Sequence, residues 1–127
     1  MSDKRTILIV EDNPMNLKLA RDVLEAKGYR VVAAENGEDG VALAGTEQPD
    51  LVLMDIQLPG IDGVEALQRL RNDPATANIP IVAFTASVMA GDRSRVTAAG
   101  FDAFLSKPID LKPFLATVTR LLDGGPA

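Results

Sequence analysis

Cysteine and histidine are both absent from the 127 residues, and each absence removes a class of chemistry. Without thiols there is no disulfide framework, no thiolate metal site and no cysteine nucleophile. Without imidazole the usual zinc sites and every histidine-based triad are gone. Aromatics are scarce too: with no Trp, one Tyr and four Phe, few rings remain to stack on a flavin or on single-stranded bases. Long apolar runs are also missing. The N-terminal Met-Ser-Asp-Lys-Arg-Thr leads into an apolar run of only Ile7 to Val10, too short for a signal-peptide core or a membrane span. A cytoplasmic location is therefore expected, with no membrane partner. Positive charge is in the minority, since 13 Lys and Arg against 18 Asp and Glu leave a net −5 and a pI near 4.6. That sign is opposite to the footprint of a phosphate-backbone binder, so nucleic acid is not expected as a direct partner.

What is present fits one ordinary globular unit. The composition is 46% hydrophobic and 24% charged, and a chain of this length buries roughly two-thirds of its unfolded surface. A single domain over 1–127 is expected. No internal repeat, low-complexity segment or linker interrupts it, and the pattern closes on a helix, so no attached output domain is expected.

Four short apolar runs stand out: Ile7 to Val10, Leu51 to Met54, Ile81 to Phe84 and the looser Phe101 to Leu105. Continuous apolarity in runs this short is what strands covered on both faces of a parallel sheet require. Arg30 to Ala34 is weaker and reads as an edge strand.

Helical patterns with recognisable ends separate the runs. The first opens at Asn13-Pro14, carries Leu17, Ala20, Val23 and Leu24 on one face, and stops at Gly28. The second runs from about Gly37 to Ala44, with Gly45 as its stop. The third has Asp62 as N-cap and Glu65 three residues on, a capping box, then Val64, Leu67 and Leu70 before Asn72-Asp73-Pro74. A fourth helix over about Val88 to Ala99 is thin: Gly91 interrupts it, and Val88, Met89 and Val96 are its only large apolar residues. A helix that buries so little is suited to be a moving part. The fifth starts at Asp110 and places Leu111, Phe114, Leu115, Val118, Leu121 and Leu122 at helical spacing. Strand and helix thus alternate five times, which implies an α/β fold: a parallel sheet with right-handed crossovers and helices on both faces.

Open parallel sheets bind ligands beyond the carboxyl ends of their strands. Strand one is followed there by Glu11-Asp12, strand three by Asp55, strand four by Thr85 and strand five by Lys107; strand two is expected to deliver nothing. Singly, each is ordinary: a loop or cap acid, a β-former, a surface lysine. Together they are not. Three converging carboxylates repel one another and call for a cation, and an oxygen-only donor set selects a hard ion such as Mg²⁺. With a lysine and a hydroxyl added, the site suits a phosphoryl group, which a carboxylate can accept as an aspartyl phosphate. Asp55, central in the sheet, is the best-placed nucleophile.

These residues, with Asp55-Ile-Gln-Leu-Pro59-Gly-Ile-Asp-Gly63, Thr85-Ala86 and Lys107-Pro108, resemble the signature of the receiver domain of two-component response regulators, over roughly Arg5 to Leu122. The resemblance implies a flavodoxin-like fold of five helices and strand order 2-1-3-4-5. It implies that Asp55 takes phosphate from a histidine kinase or histidine phosphotransfer protein, with Mg²⁺ held by Glu11, Asp12, Asp55 and the Gln57 carbonyl. Thr85 and Lys107 match the phosphoryl contacts, Ala86 the small residue beside the phosphate, and Pro108 a proline preceded by a cis bond. Thr85 and Phe104 match the switch pair, Phe104 lacking the hydroxyl that a Tyr often carries there. Gln57 and Ser87 match positions that tune hydrolysis, and neither is a strong base, so slow self-dephosphorylation is expected. The implied protein is no enzyme toward external substrates, is monomeric or weakly dimeric, and reaches a downstream protein target through the fourth helix, fifth strand and fifth helix. Single-domain regulators of the DivK type and the receivers of hybrid histidine kinases are the receivers it most resembles.

Other functions remain open at this point. An FMN carrier shares the strand order, but its phosphate loop cannot be Glu-Asp-Asn-Pro, which repels phosphate unless a cation intervenes. An aspartate-nucleophile phosphatase needs a second acid where Gln57 stands. A phosphate shuttle in a multistep relay and a phosphorylation-independent interaction module use the same residues.

Overall fold

The computed structural model describes residues 5–56, 58, 60–85, 100–106 and 110–122. The fourth predicted helix, with Ala86 and Ser87, lies outside these residues, as do Gln57, Pro59, Lys107 and Pro108. Five parallel strands form one sheet in the order β2-β1-β3-β4-β5: β1 Thr6–Val10, β2 Arg30–Ala34, β3 Leu51–Asp55, β4 Ile81–Thr85 and β5 Ala103–Ser106. The order and flavodoxin-like topology match the expectation. The register sets the strand ends level, pairing Val10 with Ala34 and Met54, Asp55 with Phe84, and Thr85 with Ser106. Asp55 and Thr85 are thus the last residues of their strands rather than the first beyond them.

The continuous apolarity of the strands has the expected cause. Alternate residues Ile7, Ile9, Leu51, Leu53 and Val82 pack on one face with Ala20 and Leu24 of α1 (Pro14–Ala26), and with Phe114, Val118 and Leu122 of α4 (Leu111–Leu122). Leu8, Val10, Val52, Met54 and Ile81 face the other way, against Ala44 of α2 (Gly37–Glu47) and Ala66, Leu67 and Leu70 of α3 (Gly63–Asn72). Burying a Leu or Ile fully contributes roughly 1.5–3 kcal/mol, so both apolar faces have to be covered.

Local chemistry sets the helix ends. Asn13 Oδ1 accepts from the Met15 and Asn16 amides at 2.9 and 3.2 Å, with Pro14 pre-shaped for the first turn of α1. Gly28, at φ +93°, ends it.

Three expectations need correction. Gly45 does not stop α2, which continues to Glu47 and ends on Gln48 at φ 48°. There the Gln48 side chain donates to the Ala44 and Gly45 carbonyls, supplying the terminal partners that the glycine signal suggested. The capping box is only half formed: Asp62 Oδ1 accepts from the Glu65 amide at 2.9 Å, but the Glu65 carboxylate turns to Arg69 at 2.8 Å. Leu111 opens α4 at the expected helical spacing and is 52% exposed, while Phe114 one turn on is buried in the core. In addition β5 begins at Ala103, later than predicted, leaving Phe101 in the connection that precedes the strand.

At the opposite edge of the sheet from the strand ends, Arg71 of α3 ties two connections together. Its guanidinium donates to the Ala77, Ile79 and Gly100 carbonyls and to Asp102 Oδ2, and the same oxygen accepts from the Ile81 amide.

Candidate metal and phosphoryl site

Glu11 and Asp12 follow β1, and Asp55 ends β3. Because β1 and β3 are neighbours in register, the three carboxylates meet: each offers an oxygen, and these oxygens lie within 4.8 Å of one another. Glu11 is 1% and Asp55 5% exposed, while Asp12 stands open to solvent. The Glu11 amide donates to the Ala34 carbonyl at 3.0 Å, extending the ladder to β2 by one residue. Its Oε2 accepts from the Asn13 amide at 3.0 Å, which fixes the carboxylate at the start of α1.

Asp55 is held from below by α3. The Gly63 amide donates to the Ile56 carbonyl at 2.9 Å, and a methyl group at Gly63 would collide with the Asp55 carbonyl oxygen and stand 2.8 Å from Ile56 Cα. Only glycine allows α3 to start this close to the nucleophile candidate. In the sequence Gly63 is one residue of the motif around Asp55, and nothing local to it signals this close approach.

Two carboxylates at such a separation repel by roughly 3 kcal/mol at an effective dielectric near 20. Burial of Glu11 and Asp55 adds to that cost. A divalent ion offsets both. The donors are all hard oxygens, with no imidazole or thiolate in the chain, so the set fits Mg²⁺. Glu35 follows β2 at the same edge, where strand two is expected to deliver nothing; it is exposed and does not join the trio.

Thr85 closes β4 one residue past the partner of Asp55 in register, so its backbone stands at the same edge. Gln57, Lys107 and Pro108 lie outside the described residues. Phe104 of β5 packs half-buried against Ile56 and Ala83, while Leu105 packs on the α1 and α4 face, as strand alternation predicts.

Residues 7–119 match the family model of the response regulator receiver domain. The chain belongs to that family. Among receivers, it is 42% identical over 118 residues to the polar-differentiation response regulator DivK of Brucella anthropi, covering 93% of this chain and 96% of that one. The receiver domain of a sensor histidine kinase from Pseudomonas aeruginosa PAO1 superposes with a TM-score of 0.89 at 33% identity, covering 95% of this chain and 99% of that one. That structure has a magnesium ion coordinated in its active site cleft. The signal receiver domain of a histidine kinase from Syntrophus aciditrophicus gives 0.88 at 31% identity, covering 96% and 92%. Both resemblances stated from the sequence, to DivK and to kinase-borne receivers, recur in these relatives. Among the described residues no helix is long and apolar enough to cross a membrane.

Proposed function

We propose that this receiver is a phosphorylation-dependent switch in a two-component phosphorelay. The observation that carries the reading is the convergence of Glu11, Asp12 and Asp55 at the carboxyl ends of β1 and β3. In the step envisaged, an Asp55 carboxylate oxygen attacks the phosphorus of a phosphohistidine on a histidine kinase or phosphotransfer protein. The new O–P bond forms as the N–P bond breaks, and the departing imidazole takes the electron pair and then a proton. Glu11, Asp12, Asp55 and the Gln57 carbonyl would hold Mg²⁺, which when bound neutralises charge on the phosphoryl oxygens.

The chain's own residues do the rest. Glu11 and Asp12 would neutralise the ion, Asp55 would supply the nucleophile, and Thr85 and Lys107, which match the phosphoryl contacts of the receiver signature, would donate to the phosphoryl oxygens. Ala86 matches the small residue that the receiver signature has beside the phosphate. The chain catalyses its own phosphorylation and dephosphorylation and turns over no external substrate. Thr85 and Phe104 relay the change to residues 88–99, β5 and α4, where a downstream protein target docks. The setting is the cytoplasm, with the chain a monomer or weak dimer.

Phosphotransfer profiling with purified histidine kinases of the host tests the reading. Rapid transfer from at least one kinase, lost in Asp55→Asn, is expected; no transfer from any of them, nor from their phosphotransfer proteins, contradicts it.

A further inference from the structure

Among the described residues β5 pairs with β4 alone, and its four residues make it the shortest strand of the sheet. A short edge strand has few ladder bonds to fix its register, and register decides which face each side chain takes. Here the register is pinned one residue before the strand begins. The Asp102 amide donates to the Ile81 carbonyl at 2.9 Å and Asp102 Oδ2 accepts from the Ile81 amide at 2.8 Å, so one residue grips both backbone polar groups of its neighbour. From α3, Arg71 donates to that carboxylate at 2.8 Å and to the Gly100 carbonyl at 3.3 Å with the same nitrogen. Its other terminal nitrogen donates to the Ala77 and Ile79 carbonyls at 3.0 and 2.6 Å. Between the two residues so tied, Phe101 packs on the α2–α3 side of the core and on Ile56 and Ala83. Phe104, the register partner of Ala83, packs on the same two residues.

We propose that Arg71 is a positioning residue for the switch ring: through Asp102 and Gly100 it fixes the entry to β5 and seats Phe101, and these set the resting place of Phe104 beside Ile56, the residue after Asp55. Phe104 stands two residues beyond the clamp, so freedom gained at Asp102 passes into the packing of the ring. The guanidinium suits the task because its planar fork serves carbonyls on one side and a carboxylate on the other. This inference rests on the reading of Phe104 as a ring that responds to the phosphoryl group. An ordinary alternative is that the cluster contributes stability only. In that case the ring is unaffected in molecules that remain folded.

Fluorine NMR of the full chain carrying 4-fluorophenylalanine separates the two. The chain has four Phe, and the signal missing from Phe104→Tyr assigns the ring of interest. Spectra are taken with Mg²⁺, before and after adding beryllofluoride, at a temperature where melting curves show each variant folded. In the parent, beryllofluoride is expected to displace the Phe104 signal. In Arg71→Ala that signal is expected to shift already in the free state, and its displacement by beryllofluoride to shrink about twofold or more, because the displacement scales with the change in population. Arg71→Lys, which reaches Asp102 without spanning the carbonyls, is expected to fall between. Phe101→Leu, with the arginine intact, is expected to reproduce the Arg71→Ala change. Adding Asp102→Ala to Arg71→Ala is expected to change the signal little further, since both act at one joint. If Arg71→Ala does not fold, Arg71→Lys and Phe101→Leu carry the test.

A Phe104 signal that sits and responds in Arg71→Ala as it does in the parent would overturn the proposal and leave the arginine a stabilising residue. Full additivity of Arg71→Ala and Asp102→Ala would overturn it too, as would an unaltered Phe104 signal in Phe101→Leu. A parent that binds no beryllofluoride, or whose Phe104 signal ignores it, would remove the switch reading and this inference with it. Displacement in the parent with an identical response in the Arg71 and Phe101 variants would remove this inference only.

Discussion

Arg71 and Asp102, thirty-one residues apart, are joined at 2.8 Å, and the same guanidinium caps three backbone carbonyls. The bonds to Ala77 and Ile79 are part-buried and those to Gly100 and Asp102 exposed, and all four are charge-assisted. Arg71→Ala leaves the carbonyls of Ala77 and Ile79 without this donor and should cost about 2–3 kcal/mol in urea unfolding. Arg71→Lys should recover less than half, because a single ammonium cannot span the same fan of acceptors. Since the pair lies far from the acidic trio, Mg²⁺ affinity should be unchanged in both variants.

Gly63→Ala should be among the most damaging small substitutions. The added methyl meets the Asp55 carbonyl oxygen and Ile56 Cα, neither of which can move without shifting β3. An overpacking cost of about 1–3 kcal/mol is expected. Unlike Arg71→Ala, this variant should also slow phosphorylation of Asp55 by acetyl phosphate at saturating Mg²⁺. A stable, fully reactive Gly63→Ala would show that the close approach of α3 is not needed.

Removing one acid from the trio tests the metal site. Asp12→Ala should weaken Mg²⁺ binding about tenfold or more, because Asp12 is one of only three carboxylates available among the described residues. Being exposed, it should cost little stability without metal. Glu11→Gln removes a buried negative charge beside Asp55, so the metal-free protein should become more stable while Mg²⁺ binding weakens. Thermal melting with and without Mg²⁺ measures both signs in one experiment.

Phe104 is half-buried against Ile56 and Ala83, which favours a movable ring over a fixed core residue. Phe104→Ala should therefore cost about 1–2 kcal/mol, below the 3–5 kcal/mol typical of a fully buried Phe. Phosphorylation should proceed normally while partner binding ceases to respond to it. Joint loss of stability and phosphorylation would mark it as core.

The fold was legible because the apolar runs are short, continuous and buried on both sides, a pattern that parallel strands produce and amphipathic helices do not. The site was legible because a parallel sheet brings its strand ends to one edge, so residues eleven and fifty-five could be placed together from their runs alone. What escaped reading depends on contacts made across the chain. Gly45 looked like a helix stop, but the side chain of Gln48 caps the helix three residues later. Glu65 had the spacing of a capping box, but Arg69 one turn on was the stronger partner. Gly37 and Gly40 carry no local signal of their purpose, since what each excludes is an atom of a distant residue.

The central claim is that Asp55 accepts the phosphoryl group. Intact-mass measurement after incubation with acetyl phosphate and Mg²⁺ tests it most directly. One added phosphoryl mass is predicted for the parent chain, lost when Mg²⁺ is chelated beforehand and absent from Asp55→Asn. A phosphoryl mass retained on Asp55→Asn, or a parent chain that stays unmodified under these conditions, would contradict the account.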